Sequence, residues 1–196
     1  GHPIPGVAMK VVDPDTGSPV ETGKEGLLLV KGPNVMLGYL DNPGKTAEVL
    51  KNGWYVTGDI AIIDRDGFVT LLDRLSRYSK IGGEMVPHLA VEDVYLQALG
   101  ATSPVVVVTS APDEKKGEQL VVFYTDEAGT PDRLHEVITK SDLPNLWKPR
   151  RDNYVRLETL PTLGSGKMDL KRLRSMAEDF AHKKAEGIST DKEGQT

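Results

Sequence analysis

Residues 160–170, LPTLGSGKMDL, place a lysine directly behind a glycine-rich turn, a combination that can serve phosphate chemistry. A phosphate-binding P-loop needs a glycine five positions before the glycine of its Gly-Lys pair, and a Ser or Thr after the lysine. Pro161 and Met168 occupy those two positions here, which disfavours a P-loop. Two interpretations remain open: a mobile loop that presents Lys167 to a negative charge, and an ordinary turn whose lysine is solvated.

Two further stretches contain side chains that could bind the hydroxyls of a ribose or the oxygens of a phosphate. WYVTGD (54–59) can present the Asp59 carboxylate at a strand end, where it would accept hydrogen bonds from both hydroxyls of a ribose. DRLSRYSKIGGEMV (73–86) contains Arg74, a donor for ribose or phosphate oxygens, and Gly82-Gly83, which permits a positive φ or the close approach of a ligand. The simpler interpretations are a turn or cap aspartate, a surface arginine and a bulged hairpin.

Composition excludes several other classes of chemistry. The chain has 196 residues, a net charge of −5 and no cysteine, so disulfides, thiol nucleophiles and Cys-ligated zinc are excluded and broad nucleic-acid binding is disfavoured. The lack of cysteine is compatible with a reducing compartment. None of the four histidines lies in a metal-ligand spacing such as HExxH, so no metal site is predicted. No apolar run approaches the ~18–20 residues of a membrane helix, and the first residues do not predict a signal peptide.

Hydrophobic periodicity predicts an α+β protein with a β-rich N-terminal subdomain (1–75), a small α+β C-terminal domain (76–184) and a disordered tail (185–196). The C-terminal domain is expected to contain about three strands and three helices. In the first part the pattern predicts strands at 7–13 and 26–32, a short helix in 42–53, and a hairpin over 61–73 with its turn at Asp66-Gly67. In the second part it predicts helices at 87–99, 131–140 and 169–184, and strands at 104–109, 119–125 and 153–158.

The order of these motifs resembles the adenylate-forming superfamily, which includes acyl-CoA synthetases, peptide-synthetase adenylation domains and firefly luciferase. Four elements occur in family order and reach almost to residue 180. They are GKEGLLLVKGPNVMLGYLDNPGKT (23–46), YVTGD (55–59), DRLSRYSKIGG (73–83) and PTLGSGK (161–167). The detail of KIGGEMV and LGSGKMD is similar to acyl–acyl carrier protein synthetases of the kind fused to a 2-acylglycerophosphoethanolamine acyltransferase.

The resemblance implies a role for each matching residue. Asp59 and Arg74 would bind the ATP ribose, and Lys167 would bridge the substrate carboxylate, the α-phosphate and the ribose ring oxygen. Ser76 would be the hinge about which the C-terminal domain rotates. The loop formed by Lys80, Ile81, Gly82 and Gly83 would then line the tunnel for the pantetheine thiol. One active site would thus perform two reactions in turn.

Three positions depart from the family pattern. Val56 replaces a basic residue, Asp73 replaces a glycine, and Ser76 stands where Asp or Lys is common. The phosphate loop, the adenine-binding motif and the acyl pocket are not in this chain, which therefore resembles the C-terminal third of an enzyme and is expected to be inactive alone.

The implied activity is fatty acid–acyl carrier protein ligation, with fatty-acyl-CoA ligation as the alternative and a non-catalytic interaction module as an alternative of another class. The implied ligands are ATP, Mg²⁺ (bound mainly by an N-terminal adenylation domain), a fatty acid, and a phosphopantetheine thiol on acyl carrier protein or CoA. The cationic cluster KPRR (148–151) could meet either acceptor, or could be a solvated turn. A cytoplasmic location is implied, with inner-membrane association as an option for the longer protein.

Overall fold

The computed structural model describes residues 1–187, and the chain divides into two compact units, one of Gly1–Ser76 and one that begins at Arg77. The first unit is built mainly of strands, and the second combines a sheet with three helices. The predicted α+β class is therefore confirmed. Within residues 1–187 no helix has both the length and the apolar character needed to cross a membrane.

Strand β4 is the centre of the first unit. It pairs antiparallel with β2 along one edge, and with β3 and then β5 along the other, while β1 extends the sheet beyond β2. A small apolar cluster of Val11, Leu28, Val30 and Ala61 covers one part of this sheet. The elements are β1 (Ala8–Val12), β2 (Glu25–Lys31), α1 (Pro43–Val49), β3 (Leu50–Lys51), β4 (Trp54–Ile63) and β5 (Val69–Arg74).

Of the turn and the helix predicted in this unit, the turn is confirmed and the helix is shorter than predicted. The hairpin between β4 and β5 turns where predicted, with Gly67 at φ +81°. The predicted helix over 42–53 was too long, because α1 ends at Val49. Asn52 and Gly53 take φ values of +52° and +78° and join β3 to β4. An Asn-Gly pair favours such a two-residue hairpin turn, which explains why the helix cannot continue.

The second unit is organised around strand β9. It pairs with β8 along one edge, and with β10 (parallel) and β6 along the other, while β7 pairs with β6. Two of these five strands, β6 and β7, were not among the three predicted, because four-residue strands joined by glycines lack a long apolar run. The elements are β6 (Tyr78–Ile81), β7 (Glu84–Pro87), α2 (His88–Leu99), β8 (Val106–Asp113), β9 (Gly117–Tyr124), α3 (Pro131–Lys140), β10 (Tyr154–Arg156) and α4 (Leu170–Ala185).

The sheet of the second unit is covered by helices on both faces. Alternate residues of β8 and β9 belong to two separate apolar clusters, one shared with α2 and α3 and the other shared with α4. Strands that are buried on both faces read as continuous apolar runs, which is the pattern that predicted them. The predicted disordered tail (185–196) lies largely outside the described residues, and its first residue, Ala185, belongs to α4.

A buried histidine makes the stability of the second unit sensitive to mild acid. His88 is 2% exposed and hydrogen-bonds through Nε2 to the Ser79 hydroxyl. Burial, with the positive charges of Arg77 and Arg174, lowers the pKa of His88 from its ordinary value of 6.5 to about 3. The unfolded chain takes up a proton below its ordinary pKa while the folded chain does not, so stability falls as the pH drops from 6.5 towards 3.

We expect the free energy of unfolding to fall by about 2 kcal/mol between pH 7 and pH 5 on account of this group alone. The measurement is urea denaturation of the wild type and of His88→Gln across that range. The variant should be less stable at pH 7 but should lack this slope. Equal slopes in the two proteins would show that His88 is not the group responsible.

Candidate nucleotide and acyl-transfer site

Asp59 lies in a bulge of β4 and not at a strand end, which corrects the predicted position. Three residues of β4, Thr57, Gly58 and Asp59, lie opposite a single residue of β2, Leu28. Such an irregularity is typical of a β-bulge, which bends a strand and re-aims its side chains. The bulge therefore determines where the Asp59 carboxylate points.

Two features hold the bulge in shape. The Thr57 hydroxyl donates to the carbonyl oxygen of Leu28 at 2.9 Å and accepts the N–H of Asp59 at 3.0 Å. Gly58 has φ +77°, a left-handed conformation that residues with a Cβ adopt only with strain. Thr57 was not predicted as a functional residue, although a hydroxyl before a glycine that needs positive φ was a readable signal.

Arg74 clamps the bulge from the neighbouring strand. Its Cα stands opposite that of Asp59 in the β4–β5 pair, and its Nε lies 2.8 Å from Asp59 Oδ1. Its Nη1 donates to the carbonyl oxygen of Thr57 at 3.1 Å. The two predicted nucleotide-binding residues are thus in direct contact.

The other carboxylate oxygen of Asp59, Oδ2, accepts no hydrogen bond from residues 1–187. The Asp59 side chain is 26% exposed and that of Arg74 is 63% exposed, so both can be reached from solvent. A carboxylate can accept several hydrogen bonds, and a guanidinium carries five N–H donors. The pair therefore offers a fixed acceptor beside a fixed donor, a combination suited to the hydroxyls of a sugar.

Ser76 lies at the boundary between the two units. It is the exposed middle residue of a 3₁₀ turn, Leu75–Arg77, and the last residue of the first unit. Its role as a hinge stays a prediction.

The predicted thioester loop is the tip of the β6–β7 hairpin. Lys80 and Ile81 end β6, and Gly82 and Gly83 form the turn with φ values of +58° and +89°. Of the two roles that the sequence allowed for this glycine pair, a positive φ and the close approach of a ligand, the structure shows the first. Ile81 is 3% exposed and anchors the tip in the core, whereas Lys80 is exposed. The Gly82 N–H donates to the carbonyl oxygen of Lys116 at 2.9 Å.

Lys167 lies at the end of a tight hairpin turn, and its presentation to a negative charge stays a prediction. The Gly166 N–H donates to the Leu163 carbonyl at 2.8 Å, and the Leu163 N–H donates to the Lys167 carbonyl at 2.8 Å. With Gly166 at φ +78°, this is the common three-residue hairpin loop with a glycine bulge. The hairpin leads into α4, whose N-cap is Asp169. Lys167 is exposed, and within residues 1–187 its ammonium makes no ion pair.

The cationic cluster KPRR is largely engaged within the second unit. The Lys148 ammonium donates to the carbonyl oxygens of Thr139 and Ser141 at 3.1 and 2.9 Å. Arg150 pairs with Asp113 at 3.2 Å, and Arg151 pairs with an aspartate of α3. These contacts partly neutralise the cluster and favour the interpretation as a structural turn over that of a docking patch.

No cluster of three or more His, Asp or Glu side chains suited to a metal ion occurs in the described part of the chain.

Comparison with known proteins relates the chain to AMP-binding enzymes. Residues 1–40 match the sequence model of the AMP-binding enzyme family. The chain is 35% identical over 187 residues to a long-chain-fatty-acid–CoA ligase of Salmonella typhimurium, covering 94% of this chain and 32% of the relative. The chain thus spans about a third of the length of this relative.

Solved structures show the same fold. ATP-bound MatB from Rhodopseudomonas palustris matches with a TM-score of 0.73 and 27% identity, over 92% of this chain and 36% of that one. The o-succinylbenzoate CoA synthetase MenE of Bacillus subtilis, in complex with its acyl-adenylate intermediate, matches with a TM-score of 0.71 and 28% identity, over 88% and 34%. The fold of this chain is therefore that of the corresponding part of adenylate-forming enzymes.

The bulge geometry predicts a clear effect of Gly58→Ala. A Cβ at Gly58 would meet no atom closer than 3.8 Å, so the cost comes from the left-handed backbone and amounts to ~1–2 kcal/mol. The control is Gly44→Ala in the first turn of α1, which has no positive φ and no atom nearer than 3.9 Å to a new Cβ. It should be neutral or slightly stabilising. Chemical denaturation of both variants measures this, and equal effects would contradict the strain at Gly58.

Proposed function

We propose that this chain is the C-terminal part of an ATP-dependent, AMP-forming acid–thiol ligase whose substrates are a fatty acid and CoA. The support is the similarity to a protein named as a long-chain-fatty-acid–CoA ligase, and to a CoA synthetase that was solved with an acyl adenylate. CoA is named in both, which makes it the first candidate acceptor. Acyl carrier protein is the second, and rests on the likeness of the KIGGEMV and LGSGKMD segments to carrier-protein ligases.

The observation that carries the proposal is the Asp59–Arg74 pair on the β4 bulge. Arg74 binds one carboxylate oxygen of Asp59 and leaves the other available to the vicinal hydroxyls of a ribose. The bulge and the Thr57 hydroxyl fix the backbone of Asp59, and Arg74 holds its carboxylate, so the carboxylate is ordered before a nucleotide arrives. Such preorganisation reduces the entropy lost on binding.

The reaction would proceed in two steps. In the first, a fatty-acid carboxylate oxygen attacks the α-phosphorus of ATP, and pyrophosphate leaves. Negative charge accumulates on the phosphoryl oxygens, and we assign its stabilisation to the Lys167 ammonium, an arrangement typically worth ~3–4 kcal/mol. In the second, a thiol that has lost its proton attacks the acyl carbon, the thioester forms and AMP leaves. We assign the guidance of the thiol to the Lys80–Gly83 turn and the change between steps to rotation at Ser76.

The chain alone is proposed to be unable to adenylate a fatty acid. It spans about a third of the related ligase, and no phosphate-cradling loop occurs in its sequence. Adenylation by the purified 196-residue chain would contradict this part of the proposal.

We expect Asp59→Asn, made in the longer protein that contains this chain, to lower kcat/KM for ATP by about tenfold to a hundredfold. The reason is the loss of charge-assisted hydrogen bonds to the ribose, each worth ~1.5–3 kcal/mol. The measurement is fatty-acid-dependent ATP–pyrophosphate exchange. The control is Asp66→Asn, an exposed aspartate in the β4–β5 turn, which should stay within twofold of the wild type.

Three outcomes would change the proposal. If the wild type showed no exchange with any fatty acid, the enzyme proposal would fail and the non-catalytic interaction module would take its place. If exchange occurred but the thioester formed only on holo-acyl carrier protein, CoA would be replaced as acceptor. A wild-type value for Asp59→Asn would remove the ribose role.

A further inference from the structure

We propose that Glu118 is a positioning residue for the thioester-forming step, because its carboxylate holds the backbone of Lys80 at the base of the Lys80–Gly83 turn. This inference rests on the proposed function and extends it to a residue of β9. Glu118 does not touch the reacting atoms in this assignment, and it acts through the turn that guides the thiol.

The β6–β7 hairpin is weakly attached to the rest of its sheet by backbone pairing. Strand β6 pairs with β7 over all four of its residues, but with β9 at the single position Ile81–Gly117. One more backbone bond, from the Gly82 N–H to the Lys116 carbonyl, follows at 2.9 Å. The turn thus depends on few ladder hydrogen bonds, and a side-chain contact there has a large share in fixing it.

Glu118 supplies such a contact. Its Oε2 accepts the backbone N–H of Lys80 at 2.6 Å, in the place where a further rung of the β6–β9 ladder would otherwise lie. Its Oε1 accepts the Ser110 hydroxyl at 2.8 Å and an Arg174 N–H at 3.2 Å. The side chain is only 22% exposed. Hydrogen bonds to an ionised acceptor are about twice as strong as neutral ones, so this carboxylate is an effective anchor.

The same carboxylate connects the turn to the helix behind Lys167. Arg174 belongs to α4, which begins at Leu170 directly after the Lys167 hairpin. Glu118 therefore joins two functional segments of the second unit, one through a backbone N–H and the other through an ion pair. The two arms differ in exposure, since the Arg174 side chain is 48% exposed and its pairing is correspondingly weak.

The test separates the two half-reactions in the longer protein. Glu118→Ala should leave fatty-acid-dependent ATP–pyrophosphate exchange within twofold of the wild type. Thioester formation from supplied acyl adenylate should fall at least tenfold, because the turn that guides the thiol is no longer held. Hydrogen exchange of the Lys80–Gly83 amides, followed by mass spectrometry, should become faster in the same variant while exchange in α3 is unchanged.

Three further variants sharpen this test. Arg174→Ala removes the arm to α4, together with the exposed Arg174–Glu178 pair, and should retain the thioester step within about twofold. Glu114→Ala, an exposed glutamate in the β8–β9 turn, should match the wild type in both reactions. Glu118→Gln keeps an oxygen that can accept the Lys80 N–H and should lose less than Glu118→Ala.

An equal loss of both half-reactions in Glu118→Ala would show a merely structural role and overturn the inference. Three other results would also overturn the inference. They are an unchanged thioester step in Glu118→Ala, unchanged hydrogen exchange of its Lys80–Gly83 amides, and a loss in Glu118→Gln as large as that in Glu118→Ala. A wild type that lacks both half-reactions would instead overturn the proposed function, and the role of Glu118 would fall with it.

Discussion

Three residues of β4, Thr57 to Asp59, lie opposite a single residue of β2, where regular antiparallel pairing would place one. This bulge determines the direction of the Asp59 carboxylate and its contact with Arg74. The Thr57 hydroxyl donates a hydrogen bond to the Leu28 carbonyl oxygen, which the bulge would otherwise leave without a partner on β4. A buried polar group without a hydrogen bond costs about 1–3 kcal/mol. The glycine that follows Thr57 adopts the left-handed backbone, and the aspartate after it then faces Arg74 across the strand pair.

The segment that connects the two units is flanked by two arginines, and each of them forms an ion pair within its own unit. On the first side, Arg74 is paired with Asp59. On the second, Arg77 is paired with Glu92 of α2, whose other carboxylate oxygen accepts the Val108 N–H of β8 at 2.8 Å. Glu92 is nearly buried, and breaking such a pair by removing one partner is strongly destabilising. Only Leu75 and Ser76 lie between the two anchored arginines, which supports placing a change of backbone torsion there.

The sequence predicted best where burial leaves a strong pattern. The continuous apolar runs of β8 and β9 are buried on both faces, and they were found together with the three helices that cover them. The β6–β7 hairpin was considered only as the simpler interpretation of Gly82-Gly83, because its apolar residues are divided between two four-residue strands that a glycine turn separates. Asn52-Gly53 was read as the end of a helix, although this dipeptide also favours a hairpin turn.

The candidate site was only partly readable for a different reason. Asp59, Arg74 and Lys167 stand in recognisable motifs, so their chemistry was predicted, but not that Asp59 and Arg74 touch each other within a bulge. Glu118 lies 38 residues from Lys80 in sequence, and no local sequence pattern predicts a contact between a side chain and a backbone N–H so far away. Contacts of this kind depend on the register of the sheet, which local periodicity does not determine.

We assign Lys167 to the first half-reaction only, and a comparison of two lysine variants tests this assignment. In the longer protein, Lys167→Ala is compared with Lys171→Ala, a nearby exposed lysine on α4, in ATP–pyrophosphate exchange and in thioester formation from supplied acyl adenylate. We expect Lys167→Ala to lower ATP–pyrophosphate exchange by ~10²–10³-fold while the thioester step stays near the wild-type rate, and Lys171→Ala to be unchanged in both reactions. Wild-type exchange in Lys167→Ala, or an equal loss in both reactions, would contradict it.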